Sequence, residues 1–267
     1  MVMMKIRFLL PCLCLLTGCR LVHAPESGPS PAALPEGCVS PGTVEYPTLE
    51  TTSRGYSYGY GIYLPPCFDS KAGGVYPILY LIPGRTSGPG TWFAAGAAAL
   101  ADELILSREI PPFLIVTTQN IDSPAEMYAA TILEDLMPYV ESHYPVSPER
   151  RHRSVAGGSL GSIAAYRIVF RFPDRFASVG MFGGGAVSGE EDKIREWLAA
   201  MTPENTPRVF LNSGFDDPFM QDAARSMMAL LDGAGIPHTH IFTAGSHNYA
   251  YWAMYLPAFF HWVALDW

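Results

Sequence analysis

Arg153-Ser-Val-Ala-Gly-Gly-Ser-Leu-Gly161 joins a short stretch, expected as a strand over His152 to Ala156, to a helix-forming run expected over Leu160 to Phe172. Gly157, Gly158, Ser159, Leu160 and Gly161 fit the pattern G-x-S-x-G in the strand-to-helix setting that gives it meaning. The glycines let the chain turn sharply where a Cβ would clash. That lifts the Ser159 hydroxyl clear and leaves the Leu160 N–H at the open end of the helix. The plain alternative is a serine that only caps the helix. An unassisted serine hydroxyl is protonated near neutrality, so a nucleophilic Ser159 requires a base, and the base an orienting acid.

Strand and helix runs alternate on both sides of this turn. Tyr56, Tyr58 and Tyr60 alternate with small residues and lead into Ile62 to Leu64, which reads as an exposed early strand. Tyr76 to Ile82 and Pro112 to Thr118 are nearly continuous apolar runs, as in strands buried on both faces. Ser123, Pro124, Ala125 and Glu126 form a capping box with proline at the first helical position, opening a helix to about His143. Further strands are expected over Phe176 to Phe182, Arg208 to Asn212 and His238 to Phe242. Further helices are expected near Glu190 to Met201, from Pro218 to Leu231 with Gly233 as the stop, and from Tyr249 to Val263. Parallel strands need crossover connections, so the alternation predicts an α/β fold: a mostly parallel central sheet, helices on both faces, and chemistry at the carboxyl ends of the strands. Only 25 residues lie between Phe182 and Arg208. That is room for one helix but not for a large cap domain, so an open mouth is expected.

The partners of Ser159 are sought downstream. Of the seven histidines, His23 is close to the N-terminus, His143 and His152 sit at element ends before Ser159, and His238 and His240 lie on a strand. His261 is mid-helix among apolar residues and reads as a packed core histidine. His247 occupies the loop Gly245-Ser-His-Asn248 after the last strand, the place and chain order of a serine-activating base. The preceding strand runs into Ser213-Gly-Phe-Asp-Asp217, so Asp216 and Asp217 are both candidates for the acid; Asp217, before Pro218, also suits a helix cap. An oxyanion needs two N–H donors. Leu160 supplies one, and in the loop Ile82-Pro-Gly-Arg-Thr86 the second is expected from the backbone of Arg85, since proline has no N–H. Arg150, Arg151 and Arg153 read as a solvated basic loop.

Composition bounds what surrounds this site. The chain has 267 residues, 49% hydrophobic and 16% charged, enough for one sizeable core and far from a disordered composition. Its net charge of −8, from 25 acidic against 17 basic residues, argues against a nucleic-acid partner. The five cysteines, at 12, 14, 19, 38 and 67, have no metal-ligand spacing, and no metal or organic cofactor is implied. Met1 to Arg7 carries two cations and Phe8 to Leu16 is apolar, too short to span a bilayer but suited to a signal peptide, so export is expected. Leu16-Thr-Gly-Cys19 resembles the lipobox of bacterial lipoproteins. The resemblance implies residues 1–18 as a lipoprotein signal peptide and Cys19 as a lipidated first residue holding the protein to a membrane, facing outside the cytoplasm. Cleavage after Ala24, which would release a secreted form, is the other reading. Residues 19–42, rich in Pro, Ser, Gly and Ala, read as a flexible tether, and 43–267 as the catalytic domain. In an oxidising compartment Cys38 and Cys67 either form a disulfide or remain two buried thiols; both readings stand at this level.

Four runs together carry a further resemblance. They are Tyr76-Pro-Ile-Leu-Tyr-Leu-Ile-Pro-Gly84, Leu136-Met-Pro-Tyr-Val-Glu141, Gly157-Gly-Ser-Leu-Gly161 and Gly245-Ser-His-Asn-Tyr-Ala-Tyr-Trp252. This set resembles the esterase D-like branch of the α/β-hydrolases, which includes feruloyl and acetylxylan esterases, S-formylglutathione hydrolases, enterochelin esterases and mycolyltransferases, and it covers about Cys38 to Trp267. The resemblance implies an α/β-hydrolase fold without a large cap, and a serine esterase working through an acyl-enzyme with no cofactor. It implies Ser159 as nucleophile, Asp217 as acid, His247 as base, and Arg85 and Leu160 as backbone oxyanion donors. The expected substrate is an extracytoplasmic ester, small or polymer-linked: an acylated sugar, a feruloyl ester or a siderophore ester. Acyl transfer of the mycolyltransferase type and a non-catalytic surface-binding lipoprotein are the rival readings. Trp92 and Trp252 match tryptophans common near the site in this branch, as substrate contacts or as core. Two departures are Pro83-Gly84, where many members have His-Gly, and Ser162, where many have glycine. Neither removes a triad side chain, and no oligomeric state is implied.

Overall fold

The computed structural model describes residues 29–50, 57–71, 73–119 and 125–267. The signal peptide, Cys19, the cleavage point at Ala24, Tyr56, and the Ser123-Pro124 half of the capping box lie outside the described residues.

Alternation along each strand builds the core. Among the described residues nine strands form one sheet: β1 (Thr43–Glu45), β2 (Thr48–Glu50), β3 (Ser57–Leu64), β4 (Ile78–Ile82), β5 (Leu114–Thr118), β6 (Arg153–Gly158), β7 (Ser178–Phe182), β8 (Arg208–Gly214) and β9 (His238–Thr243). Their order is β1-β3-β5-β4-β6-β7-β8-β9, with β2 also paired to β3. Pairing is antiparallel at β1, β2 and β3 and parallel from β5 through β9. On β4, Ile78, Tyr80 and Ile82 join one buried cluster and Leu79 and Leu81 the other. The same split places Val209 and Leu211 of β8 on one face and Phe210 on the other. Two hydrophobic faces need two helical layers.

The helices supply both layers. α1 (Thr91–Ala94) and α2 (Ala97–Leu106) pack with the C-terminal α8 (Tyr249–Ala253) and α9 (Leu256–Val263) on one face. The other face carries α3 (Ala125–Thr131), α4 (Met137–His143), α5 (Leu160–Arg171), α6 (Glu191–Ala199) and α7 (Gln221–Ala234). A mostly parallel sheet with helices on both sides is the expected α/β architecture, and α6 alone fills the connection from β7 to β8. Among the described residues no helix is long and apolar enough to cross a membrane.

Several local expectations are corrected. β3 is buried rather than exposed, because β1 and β2 cover its outer edge and Tyr58 and Tyr60 face the core, the latter edge-on to Tyr139 at 6.2 Å. The helix reaching His143 contains a wide π-turn over Ile132–Leu136. Pro138 follows it; having no N–H and crowding the carbonyl four residues back, it cannot sit in a regular α-turn there. The helix expected from Tyr249 to Val263 breaks at Met254–Tyr255, ahead of Pro257 in the first turn of α9. α7 runs through Gly233 and ends at Gly235, whose φ of 68° is the left-handed cap conformation.

The stretch read as the end of a tether is attached to the body from Ser30 onward. Ala32 N–H donates to the Val75 carbonyl at 2.7 Å and Val75 N–H to that of Ser30 at 3.1 Å. Gly42 N–H donates to Asp102 at 2.8 Å. Between these points Cys38 and Cys67 are bonded, with Cα atoms 6.1 Å apart. Of the two readings open for these cysteines, the structure has the disulfide. The three arginines do not form a solvated loop. Arg150 donates to the carbonyls of Pro173 and Asn205, Arg153 is tied to Glu141 and to the Arg175 carbonyl, and only Arg151, paired with Glu149, is well exposed. Buried or half-buried guanidinium groups need such partners.

Candidate active site

The site begins where β6 ends. Ser159 has φ +54° and ψ −121°, a conformation side chains rarely adopt. The turn is tight enough to exclude side chains around it: a Cβ on Gly157 would lie 2.4 Å from Gly161 carbon, and one on Gly161 would lie 2.3 Å from the Ile82 carbonyl oxygen. Ser159 N–H donates to the Phe182 carbonyl of β7 at 2.8 Å, which holds the turn to the sheet. Ser162 adds to this. Its buried hydroxyl donates to the Ser159 carbonyl at 2.6 Å and occupies space that a Cβ on Gly184 would need.

The ends of β8 and β9 bring the partners. His247 stands in the loop after β9 with Nε2 2.8 Å from Ser159 Oγ, although the two residues are 88 apart in the chain. Its Nδ1 is 2.7 Å from Asp217 Oδ2. Asp217 is 2% exposed, and its other oxygen accepts the N–H groups of Phe219 and Met220, each at 3.0 Å. A buried carboxylate with three donors is held in place and its charge compensated. Asp216 instead accepts Gly245 N–H at 3.1 Å on the exposed side of the loop. The open choice between the two acids therefore falls to Asp217, which caps the turn and touches the histidine at once. Asn248 caps α8 by accepting Tyr251 N–H at 2.9 Å, fixing the backbone immediately after His247.

A serine, an imidazole and a buried carboxylate in line form a proton relay able to activate the hydroxyl for attack on a carbonyl. The family described as "Putative esterase" matches residues 51–263. The chain belongs to that family. Membership places the domain among carboxylic ester hydrolases. Among curated relatives, an endo-1,4-beta-xylanase/feruloyl esterase of Xylanibacter ruminicola is 24% identical over 229 residues. The match takes in 80% of this chain but 30% of that protein, so the chain spans less than a third of its relative's length. Of solved structures, a ferulic acid esterase has a TM-score of 0.74 at 22% identity, covering 85% of this chain and all of that one. FphF, a fluorophosphonate-binding serine hydrolase of Staphylococcus aureus, has a TM-score of 0.71 at 19% identity, covering 84% and 99%. At these identities the likeness concerns the fold.

In this esterase the other histidines among the described residues stand apart from the triad. His152 is buried and bonded to Ser147 at 2.7 Å, with burial holding its pKa below the ordinary value. His143 stacks on Tyr139, and His238 and His240 lie on the edge strand β9. His261 is not packed in the core as expected; it faces outward, 3.3 Å from Glu109. Trp92 and Trp252 are 0% and 2% exposed and pack beneath the site. Trp92 donates to the Ile82 carbonyl, and Trp252 stands edge-on to His247 at 5.1 Å. Leu160 opens α5, where first-turn amides have no acceptor within the helix. Arg85 lies in the loop after β4, beside Gly84, where an added Cβ would be 3.4 Å from Ser159 Cβ.

Two residues at the site were not singled out from sequence. Phe219, 75% exposed, stands edge-on to His247 at 5.8 Å on the loop carrying Asp217. It borders a groove of about 450 Å³ lined by Ile163, Val187, Met220 and Ala223. Tyr249 reaches across to Gly84. The signal for both was nearness to the triad in the chain, an aromatic two residues after each partner of Ser159.

Proposed function

We propose that this chain is an exported serine ester hydrolase that works through an acyl-enzyme on an ester carried by a bulky or polymeric alcohol. The observation that carries the reading is the unbroken line Ser159–His247–Asp217, with contacts of 2.8 and 2.7 Å. In the first half-reaction Ser159 Oγ attacks the ester carbonyl while His247 Nε2 takes its proton; Asp217 orients the ring and offsets the imidazolium charge. The N–H groups of Leu160 and Arg85 receive the oxyanion. His247 returns the proton to the departing alcohol, and water repeats the sequence to release the acid.

Export is supported by the cationic, apolar and small-residue order of the first 19 residues, and a disulfide between Cys38 and Cys67 suits an oxidising compartment. Lipidation at Cys19 is part of the proposal. The short β7–β8 connection leaves the mouth uncapped, which favours acyl groups hung on large carriers, and two similar proteins are named for feruloyl ester cleavage. The test is a panel of p-nitrophenyl acetate, feruloylated and acetylated sugars and a siderophore trilactone. The expected result is turnover of at least one carrier-linked ester, abolished in Ser159→Ala. Turnover that persists in Ser159→Ala, or none on any ester, contradicts the proposal.

A further inference from the structure

The segment that carries the base also reaches back to the opposite wall of the site. Tyr249, two residues after His247, accepts the Gly84 N–H on its phenol oxygen at 2.7 Å. Gly84 borders the nucleophile: a Cβ placed on it would lie 3.4 Å from both Ser159 Cβ and Tyr249 Oη. The Tyr249 ring is itself seated edge-on against Trp92 and Trp252, with centroids 4.9 Å away in each case. Trp252 in turn backs His247. One short turn of chain thus holds the base, its support, and a tie to the loop that follows β4.

That loop needs a tie. Thr86 has φ +58°, an outlier for a β-branched residue, and such a conformation persists only where its surroundings over-determine it. Burial pushes the Tyr249 pKa up. The phenol is therefore neutral at working pH and brings no charge near the developing oxyanion.

We propose that Tyr249 is a positioning residue for ester hydrolysis, clamping the loop at 83–87 so that its backbone donors stay in register with Ser159 and with the base on the same turn. The proposal rests on the serine-esterase reading above. Small misplacements of groups that meet a transition state cost rate without weakening ground-state binding in proportion. A ring that only fills space between two tryptophans would tolerate phenylalanine, and this separates the two roles.

The test is steady-state hydrolysis of p-nitrophenyl acetate by the full chain and by Tyr249→Phe, each normalised by fluorophosphonate titration so that only folded active sites are counted. The clamp predicts a kcat about 10- to 100-fold lower with KM within about threefold of wild type. Phenylboronic acid, whose tetrahedral serine adduct presents an oxygen to the loop donors, should bind Tyr249→Phe more weakly by about the factor lost in kcat/KM. Wild-type kcat in Tyr249→Phe overturns the proposal. So does a loss confined to KM, or to melting temperature with kcat per active site unchanged. A wild-type chain inert toward both ester and fluorophosphonate sinks the esterase reading instead.

Discussion

Asp217 shows how one residue can serve fold and chemistry together. Its two oxygens divide the work, one receiving the amides of the turn into α7 and the other the imidazole of His247. Replacing it removes both functions, whereas Asp216 holds only one amide from the exposed side. Asp217→Ala should lower kcat about 10³- to 10⁴-fold, and Asp216→Ala less than about tenfold. Ester kinetics on the two variants check this, and a larger loss at Asp216 would reverse the assignment. The family resemblance points to Asp217, while the loop residues by themselves leave both acids open, because adjacent acids share one loop and only the backbone path decides which of them points at the ring. Ser162 stands where many relatives in the resembled branch have glycine. Its hydroxyl turns out to brace the nucleophile's own carbonyl against a wall where Gly184 makes room.

The elements were legible wherever burial has a simple period, and less so where backbone geometry intervenes. β4, β5, β7 and β8 fall where apolar runs placed them, because their core-facing residues make the pattern. The tyrosine row of β3 was misjudged as exposed since hydroxyl-tipped rings look amphipathic in sequence, while β1 and β2 were too short to leave a pattern. Proline explains the π-turn before Pro138 and the break before Pro257. At the end of α7 two glycines compete. Gly233 lies inside the helix with open space where a Cβ would go, and Gly235 holds the left-handed cap. Gly233→Ala should therefore stabilise the protein by about 0.5–1 kcal/mol, and Gly235→Ala destabilise it by about 1 kcal/mol. Urea unfolding of the two variants reads both signs; the opposite pair of signs would make Gly233 the helix stop.

Across the whole molecule, chain order predicted which segments meet, and a parallel sheet with its strand ends in one row explains why. Ser159, Asp217 and His247 follow β6, β8 and β9 in turn, so their convergence is a consequence of topology. What the topology does not specify is the fastening of the N-terminal stretch, where Cys38 and Cys67 close a loop with a sequence separation of 29. In the chain-entropy account a loop of that size stabilises by about 3–4 kcal/mol, so the Cys38→Ser, Cys67→Ser double variant should lose that much in urea unfolding while keeping its active-site geometry. An unchanged midpoint would mean that packing alone fastens the stretch. Three distant side chains form one working relay, and treating the folded protein with a fluorophosphonate, then locating the adduct by peptide mass spectrometry, reads that relay out at the serine. A single adduct on Ser159, abolished in His247→Ala, is the predicted result; an unmodified Ser159, or an adduct that forms equally well without His247, would contradict it.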